Sequence, residues 1–318
     1  MLFRSGSGLL SCPAYAIDEP TLAAAAKKEG RVTVYSNADP AALERAVKGF
    51  KAKYGIDVDV QRLTGAALAQ RFTAEYESGV FLADMFISSD PVFPKEAIKK
   101  GWLLRPDDLP SIAAWPKTDT ADGLVSLGLN PYTLCWNANV LPAGLTKWED
   151  INDPKYRGKV LVGDPRVLAS ARLWYVAMRA KYGDGFLREL GSHAAFSPSA
   201  VPGLQQLAAG AVGIYAPSTY LNATDIIAKG APIKNLLIEP IVVSVPFAAA
   251  VAKAPHPNAG KLLLSYIMTP AGQEAYNEDG FSVLPNVPKT KTLPSMANVD
   301  PNEGERQLPE ILGLLKLG

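Results

Sequence analysis

Between Arg31 and Ile87 the chain reads strand, helix, strand, helix, strand, and this order limits its possible folds more than any other feature. Arg31-Val-Thr-Val-Tyr35 is a short β-branched run behind an Ala-rich helical stretch that ends at Gly30, so a buried strand is expected over Val32 to Tyr35. Asp39 stands at an N-cap position and Pro40 at the first helical position, followed by Leu43, Val47 and Phe50 at helical spacing. Ile56, Val58 and Val60 alternate with Asp57 and Asp59 as a second strand. Thr64 opens a second helix carrying Leu68 and Phe72, and Asp84-Met-Phe-Ile87 forms a third strand. Strands joined in this way by helices form a parallel sheet with right-handed crossovers, which predicts a doubly wound α/β domain.

A second unit of the same kind is expected further on. Val125 to Trp136 is an apolar run long enough to cross between two domains. Lys159-Val-Leu-Val162 then reads as a strand, Pro165 to Tyr182 as a helix, Ala211 to Tyr215 as a strand and Ser218 to Lys229 as a helix. The run Ile238 to Val251, broken by Pro240 and Pro246, reads as the return crossing. Helices are expected at Asn258 to Met268, Thr269 to Asn277 and Glu303 to Leu315, with a long loop from Pro285 to Pro301. The expected division is therefore 17–125 with 246–318 as the first domain and 126–245 as the second. Residues 1–16 are set apart as a truncated signal-peptide remnant.

That remnant, MLFRSGSGLLSCPAYA, pairs Arg4 with a short apolar run and ends in Ala14-Tyr15-Ala16, which resembles a signal-peptidase site. A minority alternative is lipid anchoring at Cys12. The expected location is periplasmic. No stretch offers about 18 consecutive apolar residues, so no helical membrane span is expected. With 32 basic against 31 acidic residues, the net charge of +1 gives no reason to expect nucleic acid as a partner. Cys12 and Cys135 are the only cysteines, so no disulfide framework is expected, and Cys135 reads as a small core residue.

Catalytic patterns are absent from the sequence: there is no G-x-S-x-G elbow, G-x-G-x-x-G, P-loop or H-E-x-x-H. Its two histidines, His193 and His256, lie far apart in the chain, which leaves little for histidine or zinc chemistry. The expectation is a non-enzyme without cofactor or bound metal. The informative residues are polar groups at strand ends and helix starts: Ser36 and Asn37, Thr64 with Gly65, Ser88 to Asp90, and Asp164 to Arg166. In a doubly wound sheet the loops at the carboxyl ends of the strands line the ligand crevice. Helix N-termini facing that crevice would present free N–H groups to an anion. Arg166 would either clamp an anionic group or brace its own loop through Asp164, and Tyr132, Tyr215 and Tyr220 would wall a pocket, coordinate a metal through phenolate, or pack at a domain interface.

The segments Gly30-Arg-Val-Thr-Val-Tyr-Ser36, Phe50-Lys-Ala-Lys-Tyr-Gly-Ile56, Ala83-Asp-Met-Phe-Ile87, Pro257 to Ser265 and Thr269 to Ala275, taken in this order, resemble periplasmic solute-binding proteins of ABC transporters. The likeness runs from Gly30 to about Pro288 and lies nearest the group of ferric-ion, phosphonate and sugar-phosphate receptors. Trp148 to Lys159 resembles the stretch that opens the second lobe in many members. The resemblance implies two doubly wound α/β lobes joined by two crossing strands, the type II arrangement. It also implies a solute captured between the lobes by hinge closure and a membrane permease as partner, with the receptor expected as a monomer. Ferric members carry adjacent tyrosines where this chain has Ala216-Pro-Ser-Thr-Tyr220, and Asp39 and Ser89 stand where those members carry His or Glu. The departure favours a small organic anion over iron, with a ferric receptor and an enzyme or sensory domain as alternatives. The expected ligand contacts are Ser36, Asn37, Thr64, Ser88 and Ser89 from the first lobe and Asp164, Arg166, Ser170 and Tyr220 from the second.

Overall fold

The computed structural model describes residues 17–90, 92–120, 122–300 and 302–318, with the side chains of 118, 119 and 170 outside the described set. The expectations for residues 1–16, including the signal remnant and Cys12, therefore lie outside the described residues. The strands are β1 (Arg31–Ser36), β2 (Asp57–Arg62), β3 (Met85–Ser88), β4 (Val125–Ser126), β5 (Asn130–Asn137), β6 (Val160–Gly163), β7 (Ala195–Ser197), β8 (Ile214–Thr219), β9 (Ile233–Leu236), β10 (Val243–Ser244) and β11 (Phe247–Ala250). The α-helices are α1 (Glu19–Glu29), α2 (Pro40–Tyr54), α3 (Gly65–Glu77), α4 (Phe93–Lys99), α5 (Arg172–Tyr182), α6 (Asp184–His193), α7 (Ala200–Ala208), α8 (Tyr220–Ala228), α9 (Pro257–Ile267), α10 (Pro270–Tyr276), α11 (Glu303–Arg306) and α12 (Leu308–Leu314).

These elements form two α/β lobes. The first sheet runs β2-β1-β3-β11-β4, with β1 parallel to both β2 and β3 and with β11 antiparallel to β3 and β4. Its helices bury Leu22, Ala46, Phe50 and Leu263 on one face, while Leu68, Phe72 and Phe86 pack on the other. The second sheet runs β10-β5-β8-β6-β7, with β9 added beside β5. Trp148 and Trp174 meet edge to face at 5.3 Å in its core, both fully buried. The β-α-β-α-β order predicted for Arg31 to Ile87 is present, because each helix there buries an apolar stripe, and α2 opens on a capped turn in which Asp39 Oδ1 accepts from the Ala42 N–H at 2.8 Å.

Two segments cross between the sheets. One runs from β4 to β5 and the other from β10 to β11, and they are tied together where the Leu127 N–H donates to the Pro246 carbonyl at 2.8 Å. The Leu127 carbonyl accepts from both Gln273 Nε2 and Asn277 Nδ2 at 3.0 Å, two buried amides on the first lobe. Gly128 follows, and a Cβ there would collide with the Asn277 side chain, so the crossing has room only for glycine.

The structure departs from the sequence reading at several points. The helix expected from Pro165 begins at Arg172. Before it, the Val167 and Leu168 N–H groups bond back to the Asp164 carbonyl in a turn, and a short 3-10 segment spans Ala169–Ala171. Helices α4, α6 and α7 are not among the expected elements. The chain's end also differs from its expected place in the first lobe: the Ala297 N–H bonds the Ile241 carbonyl, and Ile311 and Leu315 are buried in the second lobe's core. The loop before α11 is thus a third connection across the molecule. Helix α8 straddles the lobes, with Leu221 in the first lobe's core and Ala223 in the second's.

Candidate functional site

A cleft of about 480 Å³ lies between the lobes, within the size range of small-ligand sites. The first lobe lines it with Asn37, Asp39, Arg62, Thr64, Ser89 and Asp90, from the carboxyl ends of β1, β2 and β3 and the helix starts that follow. Asn130 and Ser244, on the crossing strands, form its back. The second lobe contributes Val167 to Ala169, Ser199 to Pro202, Thr219 and Asn222.

Four helix starts face this space. Asp39 caps α2 with its own carboxylate, whereas Thr64, Ser199 and Thr219 stand before α3, α7 and α8 without a side-chain capping bond. The dipoles of these helices direct partial positive charge toward the cleft, and no side-chain cap is supplied at the start of α3 or α7 by the residue before it. On α8 the Leu221 N–H is satisfied from outside the helix, donating to Asn130 Oδ1 at 3.1 Å. Arg62 is the cationic side chain of the lining, anchored by a bond from Nη1 to the Ala38 carbonyl at 3.2 Å.

Two buried polar atoms of the lining have no partner. Asp39 is only 8% exposed, and its Oδ2 has no donor. Across the cleft, Thr219 Oγ1 is likewise unbonded. A buried polar atom without a partner costs about 1–3 kcal/mol, so both atoms call for a partner delivered into the cleft. Burial, with the Asp225 carboxylate as a further cause, pushes the Asp39 carboxyl up to about 6. Burial also raises Asp90, whose Oδ1 accepts from the Val92 N–H at 2.9 Å.

The expected contact residues divide into those on the cleft and those behind it. Asn37, Thr64 and Ser89 line it, and Asn37 Oδ1 holds the Ser89 N–H at 2.8 Å, which joins the loops after β1 and β3. Ser36 and Ser88 lie behind the lining, nearly fully buried. The Ser36 hydroxyl accepts from the Ala38 N–H and that of Ser88 from the Asp90 N–H, both at 3.0 Å, so these serines shape the loops. Asp164 and Arg166 brace each other away from the lining: Arg166 Nε reaches Asp164 Oδ1 at 3.0 Å and Nη2 reaches Oδ2 at 2.8 Å. Against the upward push of burial, the guanidinium holds Asp164 below its usual value. Tyr220 turns from the cleft, its hydroxyl bonded by Lys291 and its ring edge-on to Phe281. The backbone of Ser170 lies in the 3-10 segment before α5; its side chain is outside the described residues.

Asp90, singled out with Ser88 and Ser89 at the end of the third strand but not among the expected contacts, lines the cleft, and sequence reasoning missed Arg62, Asn130, Ser199, Thr219, Asn222 and Ser244 as cleft residues. Of these, Thr219 had a signal as the residue before a helix start, while Arg62, at the end of an edge strand, had none. Tyr132 and Tyr215 are buried outside the lining, and burial pushes the Tyr215 phenol well up. Cys135 is fully buried and its thiol is pushed up to about 11. His256 is fixed on Asp84, with Nδ1 3.0 Å from Oδ2, outside the cleft. Among the described residues, no cluster of three or more His, Cys, Asp or Glu side chains has the placement to hold a metal ion, and no helix is long and apolar enough to cross a membrane.

Comparison with known proteins places this architecture among others. The sequence model of a family described as bacterial extracellular solute-binding protein matches residues 32–282. A search of curated proteins finds no match. The fold is similar to that of the substrate binding protein of an ABC transporter from Agrobacterium tumefaciens, with a TM-score of 0.76, 16% identity, and coverage of 90% of this chain and 94% of that one. It is similar also to the periplasmic binding protein AfuA from Actinobacillus pleuropneumoniae with fructose-6-phosphate bound, with a TM-score of 0.74, 19% identity, and coverage of 91% and 99%. A third similar structure is iron-bound HitA from Pseudomonas aeruginosa, with a TM-score of 0.67, 17% identity, and coverage of 90% and 98%.

Proposed function

The chain belongs to the bacterial extracellular solute-binding protein family, and on that premise we propose that it is the periplasmic receptor of an ABC importer, capturing a small, hydroxylated organic anion between its lobes. The observation that carries this reading is the pair of partnerless polar atoms, Asp39 Oδ2 and Thr219 Oγ1, set on opposite lobes of one cleft. A solute bound there satisfies both only when the lobes are together, so ligand binding and closure reinforce each other. The uncapped starts of α3 and α7 and the Arg62 guanidinium suit a phosphoryl, phosphonyl or carboxyl group. The Asp39 and Asp90 carboxylates suit hydroxyl donors on the rest of the molecule. The AfuA likeness, to a protein holding a sugar phosphate, agrees with this chemistry.

A ferric receptor fits less well. Ferric ion wants several hard anionic oxygens, and the phenols of Tyr215 and Tyr220 lie outside the lining. The receptor is proposed to act as a monomer that delivers its solute to a membrane permease and performs no chemistry on it. Calorimetric titration with sugar phosphates, phosphonates and hydroxy acids, each beside its uncharged counterpart, tests the proposal. Saturable binding of an anion but not of its neutral analogue supports it; preference for neutral or cationic solutes overturns it.

A further inference from the structure

A second cavity, of about 580 Å³, lies on the other side of the β4 to β5 crossing and shares no lining residue with the interlobe cleft. Two pairs of chain neighbours set the two spaces back to back. Asn130 lines the cleft while Leu129, one residue earlier, lines the rear cavity; Thr219 lines the cleft while Tyr220, one residue later, turns to Lys291 in the rear wall. Successive side chains of an extended chain point to opposite faces, so one strand presents two walls of different chemistry. The rear wall is tied to the crossing through Phe281 and Gly280: the Leu129 N–H donates to the Phe281 carbonyl at 2.9 Å, and the Lys291 N–H donates to the Gly280 carbonyl at 2.7 Å.

This lining is largely apolar and carries a single charge. Leu129, Val283, Leu284, Val287, Leu293 and Met296 supply hydrocarbon surface, and Met296 is 57% exposed, a large apolar side chain left uncovered. Three of the lining hydroxyls are already engaged: Ser282 donates to Gln273 Oε1 at 2.8 Å, Thr290 to the Val287 carbonyl at 2.9 Å, and Ser295 to the Glu239 carboxylate, which stands outside the lining. Lys291 is the charged side chain of the wall. Its ammonium is held by the Tyr220 hydroxyl and lies 4.8 Å from the centre of that ring, and no carboxylate among the described residues pairs with it. The nearby Lys289, by contrast, meets both Glu274 and Glu278. A phenol and a ring face fix an ammonium in place without neutralising it. We propose that the rear cavity is a second binding site, for a small amphipathic carboxylate whose hydrocarbon tail covers the apolar wall and whose carboxylate pairs with Lys291. The volume and the ratio of apolar wall to polar groups suit such a ligand, and an ion pair on one oriented ammonium gives it direction. A polyol would leave the apolar wall wet, and an amine would meet like charge.

The rear site does not depend on what the cleft holds, so the two are tested apart. In calorimetric titration of the full, ligand-stripped chain, octanoate should bind saturably, while octanol and octylamine should not. Lys291→Gln keeps a donor for Tyr220 while removing the charge, and should weaken octanoate about tenfold or more. Met296→Glu, at an exposed position, should weaken it too by setting a like charge in the wall; if Lys291→Gln does not fold, this variant decides. Arg62→Ala, in the cleft, should leave octanoate affinity unchanged. Absence of saturable octanoate binding by the parent protein overturns the proposal, as does equal binding of octanol or full affinity in the folded rear variants. Loss of octanoate binding in Arg62→Ala would put the ligand in the cleft and overturn it as well.

Discussion

On the first lobe's side of the cleft stand Asp39, Arg62 and Asp90; on the second lobe's side, Ser199, Thr219 and Asn222 carry no formal charge. The first lobe therefore offers the charged groups and the second offers hydroxyls, an amide and the uncapped start of α7. The second lobe does have a guanidinium near the cleft, but Arg166 spends it on Asp164, two residues away in the same loop. A partner supplied by the loop itself is always present and needs no second body to be ordered, whereas a ligand must be captured. Arg62 escapes this fate because its anchor, the Ala38 carbonyl, takes a single N–H and leaves the rest of the fork free for an anion.

The contrast between the lobes can be attacked at four levels. The deepest is the cores. Phe50 in the first lobe and Trp174 in the second are fully buried, and Phe50→Ala or Trp174→Ala should each cost about 3–5 kcal/mol in chemical denaturation. Should the lobes unfold separately, the two variants would lower different transitions; a single shared transition would show that the crossings couple them.

Next comes Asp39→Asn, which keeps an N-cap acceptor while removing a buried charge. The folded-state carboxyl is raised to about 6, so the native state binds more protons than the unfolded chain between roughly pH 4 and pH 6. Its ionised form is consequently a burden above pH 6, and that burden fades as pH falls toward 4. The variant should be more stable than the parent at pH 8, by at most about 3 kcal/mol, with the advantage lost near pH 4. A gain that grows toward acid in urea titrations would contradict the sign.

Ligand affinity separates the two arginines. Arg62→Ala should weaken an anionic solute by about 1.5–3 kcal/mol, the scale of a charge-assisted hydrogen bond, as read by titration calorimetry. The smallest effect expected is that of Arg166→Ala. Its half-exposed pair with Asp164 should be worth about 1 kcal/mol or less in stability, with solute affinity unchanged. If Arg166→Ala abolished binding and Arg62→Ala did not, the charges would have been assigned to the wrong lobe.

Where a signal was local, the sequence carried it. The turns after β1 and β3 and the start of α3 were legible because a β-branched run followed by Ser, Asn, Asp or Thr marks a strand end and a helix cap, and Asn37, Thr64 and Ser89 do line the cleft. The same local rule misled at Ser36 and Ser88. Each lies one residue nearer its strand, where the side chain turns inward to accept a bond from its own loop. Arg62 sits on an exposed edge strand with the alternation of any solvated residue, so only tertiary placement brings it to the cleft. The closing segment was misplaced for a similar reason. Ile311 and Leu315 form an apolar stripe that suits either lobe, and the choice rests on long-range packing beside Gly191, where a Cβ would strike the Leu315 backbone.

The most direct test is thermal unfolding of refolded, ligand-stripped protein, with and without Arg62→Ala, against a panel of phosphonates, sugar phosphates, carboxylates, amino acids, polyamines and ferric citrate. A solute at 100 times its dissociation constant adds about 2.7 kcal/mol and raises the midpoint visibly. The receptor account predicts a shift with a hydroxylated anion that shrinks sharply in Arg62→Ala. A shift only with ferric citrate or polyamines, or with no solute at all, would contradict it.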